Sequence, residues 1–221
     1  MPTIASQLAS FAARTNFRDI PRETVHEIKR RVIDSFGCAL GAFDSPPARA
    51  ARALASTQTG RPAATILGTR IATTPEMAAF ANGTMIRYFD YNDTYLSKEP
   101  AHPSDNIAAA LAATEAAGGS GGDLLAAILI AYETQCRLCD AASLRVHGWD
   151  HVTYGAFSAT LAAAKVLELS KQETVHALGI AGVANIATRQ TRAGELSMWK
   201  ASAFANAARN AVFSARIAKS G

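Results

Sequence analysis

Apolar and polar positions follow a helical period through most of the chain. Val25, Ile28, Val32, Ile33 and Phe36 recur at the three- and four-residue spacing of one helix face. Asp19, Pro21 and Glu23 just ahead of them suit a helix start, with the proline in the first turn. Ser45–Pro46 opens a second helix by the same cap-then-proline logic. Thr74-Pro75-Glu76 opens a third, running through about Tyr88. A fourth spans about Ser104–Ala117 and stops at the glycine-rich run Gly118–Gly122. Asp123 begins a long apolar helix to about Ser143, Ser170–Glu173 fits a capping box, and Trp199–Lys219 forms a last helix that Gly221 ends. Only Ala63–Leu67, between Gly60-Arg61-Pro62 and Gly68, reads as a strand or extended loop. Gly37 and Gly41, four apart on one face, are expected to admit a closely packed helix.

The fold class this predicts is all-α: one multi-helix domain over residues 1–221 with at most a token strand and no internal repeat. The glycine run separates two helices of the same kind and reads as a tight loop inside that domain. Composition agrees. There are 48 alanines and only 7% aromatics, and Ala both favours helix and lets helices approach closely. An apolar fraction of 49% excludes disorder, and three cysteines, an odd number, exclude a disulfide scaffold. The longest unbroken apolar run, Leu124–Tyr132, is far short of the roughly 20 residues of a spanning helix. Met1–Thr15 has neither a basic start nor an apolar stretch of the signal-peptide kind, so a cytoplasmic location with reduced thiols is expected. Lys and Arg exceed Asp and Glu by only 22 to 18. The densest basic stretch, Arg14 to Arg31, is broken by acids and lacks interleaved aromatics, which argues against nucleic acid and leaves an anionic small molecule open.

Two segments break the period and are rich in polar groups: Phe89–Asn106 and Val146–Tyr154. Loops this polar between apolar helices are where a site is expected. In the first, Asp90, Asp93, Thr94, His102 and Asp105 lie within sixteen residues. If the preceding helix persists one more turn, Asp90 and Asp93 share a face, and two close carboxylates push one pKa up. The bland alternative is a solvated helix end. His102 precedes a helix start, whose dipole favours neutral imidazole or a bound anion; a turn histidine is the alternative. His147 and His151 are four apart and could pair on a metal, but no third ligand stands nearby. His26 and His176 lie on ordinary helix faces. Lys200 in a first turn opposes the helix dipole, a placement that binding an anion would offset. Cys136 and Cys139 form a CxxC inside a periodic helix, with Cys38 remote; buried reduced thiols are the better reading than a cluster site. Nucleotide-binding glycine loops, the GxSxG elbow and HExxH are all absent.

The run Phe89-Asp90-Tyr91-Asn92-Asp93-Thr94-Tyr95, followed by His102-Pro103-Ser104-Asp105-Asn106, resembles the signature loop of the MmgE/PrpD family. Ser197-Met198-Trp199-Lys200 through Ala205-Asn206-Ala207-Ala208-Arg209-Asn210 resembles its lysine helix, and Asp34-Ser35-Phe36-Gly37-Cys38 also has the family look. The resemblance implies that residues 1–221 are the helical domain, with the family's smaller α+β lid domain lying outside them. It implies a hydro-lyase of the 2-methylcitrate dehydratase kind acting on a tricarboxylate without metal or cofactor. A cis-aconitate decarboxylase-like activity, or an epimerase on a related acid, is the runner-up; a catalytically silent oligomerisation module is the reading from another class. On the motif match the site falls on Asp90, Thr94, His102, His151 and Lys200. Lys200, His151 and Thr94 would contact substrate, and Asp90 and His102, in either order, would be acid and base. The Asp-Tyr-Asn-Asp-Thr-Tyr and Met-Trp-Lys wording leans toward the dehydratases. Asp90 and His102 are expected to be the closest pair, and a homo-oligomer is expected.

Overall fold

The computed structural model describes residues 2–221; Met1, the first residue of the N-terminal stretch read above, lies outside the described residues. Nine α-helices carry the described chain: α1 (Ile4–Arg14), α2 (Arg22–Gly41), α3 (Pro46–Ser56), α4 (Pro75–Arg87), α5 (Ile107–Ala117), α6 (Gly121–Ala141), α7 (Val152–Val166), α8 (Lys171–Ala184) and α9 (Trp199–Lys219). Short 3₁₀ turns sit at Phe17–Asp19, Pro103–Asn106, Arg145–His147 and Arg189–Arg192. The fold is all-α apart from one two-stranded antiparallel ribbon, β1 (Ala64–Thr65) with β2 (Ala72–Thr73), in which Ala64 faces Thr73.

The capping chemistry explains most boundaries. Ser170 accepts from the Glu173 amide at 3.2 Å while the Glu173 carboxylate takes the Ser170 amide, closing the expected capping box of α8. Ser120 and Asp123 form the same box for α6. That box moves the start of α6 forward to Gly121, two residues before the expected Asp123, so the glycine loop shrinks to a turn at Gly118, whose φ of 66° suits its lack of a side chain. The expected start at Ser104 becomes a 3₁₀ turn that hands over to α5.

Alanine sets the packing. α9 lies against α4, α7 and α8, and buries Ala203, Ala205, Ala207, Ala208, Ala211 and Ala215. Gly83 of α4 faces Ala205 so closely that an added Cβ would lie 3.0 Å from the alanine Cβ. Gly155 of α7 accommodates the buried ring of Phe204. Gly37, by contrast, is exposed with nothing within 4 Å, so the close helix contact expected of Gly37 and Gly41 does not form there; Gly41 meets only the Phe89 ring. A second correction concerns α4, which ends at Arg87. Asp90 takes a left-handed conformation (φ 57°), so Asp90 and Asp93 do not share a helix face. A third is β2, which the sequence pattern did not reveal.

Candidate active site

Five chain segments converge where α4 ends and where α7 and α9 begin. Arg87, the last residue of α4, is 3% exposed and carries its guanidinium to two carboxylates, Asp90 and Asp105, the latter with Nε to Oδ2 at 3.3 Å. Asp90 also pairs with Lys200 from the first turn of α9. The anion that offsets the lysine's unfavourable dipole position is therefore Asp90 itself. Asp90 and His102 share no contact, so the expected closest pair gives way to Asp90 with Lys200 and Arg87.

The 89–106 segment is tied down by its own polar side chains. Asp93 accepts from the Ser104 amide at 2.9 Å and from the Tyr132 hydroxyl of α6 at 2.7 Å. Asn92 donates to Asp105 at 2.7 Å and to Ser104 at 3.0 Å. Burial pushes the Asp105 carboxyl up to about 7, against the pull of Arg87 and the Asn92 hydrogen bond. Three cations, Arg87, Arg192 and Lys200, thus meet four carboxylates, Asp90, Asp93, Asp105 and Asp150, and burial of Asp105 reduces the negative charge the cations face.

Two histidines face one another here, with ring centroids 6.0 Å apart. His102 Nδ1 lies 2.7 Å from the Asp93 carbonyl, and because a carbonyl only accepts, Nδ1 carries the proton. Burial, helped by Arg87, holds the His102 pKa down at about 4. His151 donates Nδ1–H to Asp150 at 2.9 Å, and burial lowers its pKa as well despite that partner. Both rings are therefore neutral at pH 7, each with Nε2 as a bare lone pair. Asp150 is in turn gripped by Arg192 Nε at 2.5 Å. Burial opposes its ionisation, but the His151 hydrogen bond and the Arg192 charge hold its carboxyl well below the usual range.

Of the sequence-derived residues, Asp90 and Lys200 are joined by direct contact, and His102 and His151 lie ring to ring. Thr94 is exposed and lines a cavity of about 260 Å³ with Arg31, Asp93 and Tyr132, on the side of the loop where Asp93 meets α6. His147 is exposed, and among the described residues no group of three or more His, Cys, Asp or Glu is placed to hold a metal. All three cysteines are free, and burial raises the Cys136 and Cys139 thiols to about 12, which keeps them protonated and unreactive. Sequence reasoning missed Arg87, Asp150 and Arg192. Arg87 reads as an ordinary helix-end cation and Arg192 lies in an aperiodic stretch. Asp150 does carry a signal, since it sits two residues before α7 and accepts from the Val152 amide at 3.1 Å as a capping side chain would.

The element ends of this helical domain thus meet at a cluster of three cations, four carboxylates and two facing histidines. The comparison with known proteins places it: the model of the MmgE/PrpD N-terminal domain matches residues 6–221, and the chain belongs to that family. It is 33% identical over 205 residues to a 2-methylcitrate dehydratase of Cupriavidus necator, covering 86% of this chain and 42% of that relative. It is 31% identical over 202 residues to a 2-methylcitrate dehydratase of Escherichia coli, with the same coverage. A cis-aconitate decarboxylase-like protein of Aspergillus oryzae is 28% identical over 99% of this chain and 47% of its own length. The chain thus spans less than half the length of these relatives. No helix among the described residues is long and apolar enough to cross a membrane.

Proposed function

We propose that this chain supplies the helical half of a hydro-lyase active site that removes water from 2-methylcitrate or a close tricarboxylate. The observation that carries the reading is the meeting of Asp90, Lys200, Arg87 and two neutral histidines at one corner of the fold. A tricarboxylate needs several cationic anchors, and Lys200, Arg87 and Arg192 supply them without a metal or cofactor. In elimination, the C–H bond beside a carboxylate breaks, its electron pair forms the C=C bond, and the hydroxyl leaves with a proton as water. A bare Nε2 of His102 or His151 takes the carbon proton, and the Lys200 ammonium or a protonated carboxyl gives one to the departing hydroxyl. Asp90 fits an orienting role better than that of a free base, because two cations already hold it.

The same anchors would serve decarboxylation of a related acid, and the match of the Aspergillus oryzae relative to nearly the whole chain keeps that as the second reading. The domain assignment over 1–221, with a lid domain contributing the other wall of the cleft, belongs to the proposal, as do a cytoplasmic location and a homo-oligomer. Calorimetric titration of the chain with citrate tests the site. Turnover of 2-methylcitrate, followed by the ultraviolet absorption of the new carbon–carbon double bond conjugated to a carboxylate, tests the reaction, with the chain alone and joined to the remaining portion of a dehydratase relative. Citrate binding, and product in the joined form, are expected. Failure to form an unsaturated product from methylcitrate or citrate in either form overturns the dehydratase reading.

A further inference from the structure

Asp150 does more than cap α7. It is 1% exposed, and its Oδ1 accepts from both the Val152 amide and His151 Nδ1 while Oδ2 accepts from Arg192 Nε. The residues that carry Arg192 are themselves pinned to this corner: the Asp150 amide donates to the Ala187 carbonyl at 2.8 Å, and the Arg189 amide to the Gly148 carbonyl at 2.9 Å. Each partner of Asp150 is left with one buried atom that has no hydrogen-bond partner, His151 Nε2 and Arg192 Nη2. His151 is only 7% exposed, so water does not readily complete that lone pair. An unmatched buried acceptor and an unmatched buried donor are each unfavourable, and both hang from the same carboxylate. A bound acid that brings a hydroxyl to Nε2 and a carboxylate oxygen to Nη2 satisfies the two at once.

We propose that Asp150 is the positioning residue of the site: it fixes His151 with Nε2 unprotonated and unpaired, and holds Arg192 as an anchor for a carboxylate of the same ligand. This rests on the tricarboxylate reading of the site above. Arg192 differs from Lys200, whose ammonium is shared with the exposed Asp90, in that its Nη2 is buried without a partner.

Imidazole ¹⁵N NMR on the 221-residue chain tests the orientation of His151, and titration with citrate tests the anchor. Wild-type His151 is expected as the Nδ1–H tautomer at neutral pH. In Asp150→Ala both side-chain donors lose their acceptor, so His151 becomes a tautomer mixture. Arg192→Gln should weaken citrate binding roughly tenfold or more, and Arg192→Lys should recover part of the loss. An Nε2–H tautomer in the wild type, or an unchanged Nδ1–H tautomer in a folded Asp150→Ala, overturns the role of Asp150. Arg192→Gln binding citrate as tightly as wild type while Lys200→Ala does not would overturn the anchor and leave the tricarboxylate reading standing. No citrate binding by the wild type would remove that reading and the anchor together, while the tautomer still decides Asp150.

Discussion

Lys200 and Asp90, 110 positions apart, meet as an ion pair that joins the start of α9 to the loop after α4. Burial, together with the charges of Arg87 and Arg192, lowers the Lys200 pKa, so the lysine sits in a field that already favours anions. Both side chains remain about a third exposed, and such pairs contribute about 0–1 kcal/mol. Lys200→Ala is therefore expected to change thermal stability little and to weaken citrate binding by about tenfold. Calorimetry beside a melting curve separates the two, and a large loss of stability with unchanged affinity would contradict the expectation.

The tightest spot in the core lies at Gly155. A Cβ there would sit 2.2 Å from the Phe204 ring, which is 1% exposed and has nowhere to swing. Gly155→Ala should cost about 1–3 kcal/mol through overpacking. Gly37→Ala, on an open helix face, should stabilise by about 0.5–1 kcal/mol. Urea unfolding of the two variants should move in opposite directions.

The Tyr132 hydroxyl supports the 89–106 segment through Asp93, and that carboxylate also takes the Ser104 amide. Tyr132→Phe removes a hydrogen bond to a charged acceptor, worth about 1.5–3 kcal/mol. Amide exchange should accelerate across residues 92–105 more than in α9; uniform acceleration would mean that Tyr132 serves the whole core instead.

Acid should weaken the fold through the histidines. An unfolded histidine titrates near 6.5, whereas His102 is held at about 4 and His151 is also lowered. Between those values the unfolded chain binds more protons, so these groups make stability fall as pH drops from about 6.5 toward 4. Asp105 has the opposite sign. Its pKa rises from 3.8 to about 7, so its contribution is present at low pH and is lost as pH climbs through 7. The two groups oppose each other over about pH 4 to 6.5, so His102→Gln should lessen the loss of stability on acidification and Asp105→Asn should steepen it. An unchanged acid slope in His102→Gln would place the effect elsewhere.

Leu96, Tyr91 and Val183 are about 80% exposed or more, and Trp199 is half exposed beside the cleft. Apolar groups left in water at a site's rim are usually covered by a partner. Sedimentation is expected to show self-association at micromolar concentration; a sharp monomer would count against it.

How much of this the sequence disclosed depends on whether the cause was local. α9 runs from Trp199 to Lys219 as its apolar period requires, and the Ser170–Glu173 box marks α8, because both signals lie within a few residues of the effect. β2 is two residues held by backbone bonds to β1 and by the buried Thr73 hydroxyl on the Ala55 and Gln58 carbonyls, partners fifteen or more positions away, so no local pattern announces it. In the site, Asp90 and Lys200 were legible by motif, yet their contact was not, since it depends on how α4 and α9 cross. Arg87 was hidden for the same reason: only the folded chain shows a helix-end arginine turned inward onto two carboxylates.

That crossing has a further consequence. α4 ends in Arg87 and α9 begins beside Lys200, and between them Gly83 rests on Ala205 with no spare room, while Thr84 donates to Ser202 at 3.3 Å. Two rods locked at such a point can neither slide nor spread without breaking it. The gap between the two cations is thus a fixed gauge, set four residues from Arg87 and five from Lys200 by the small residues Gly83 and Ala205. An acid that enters must match that gauge, and a methyl group added at Gly83 would recalibrate it from outside the cleft.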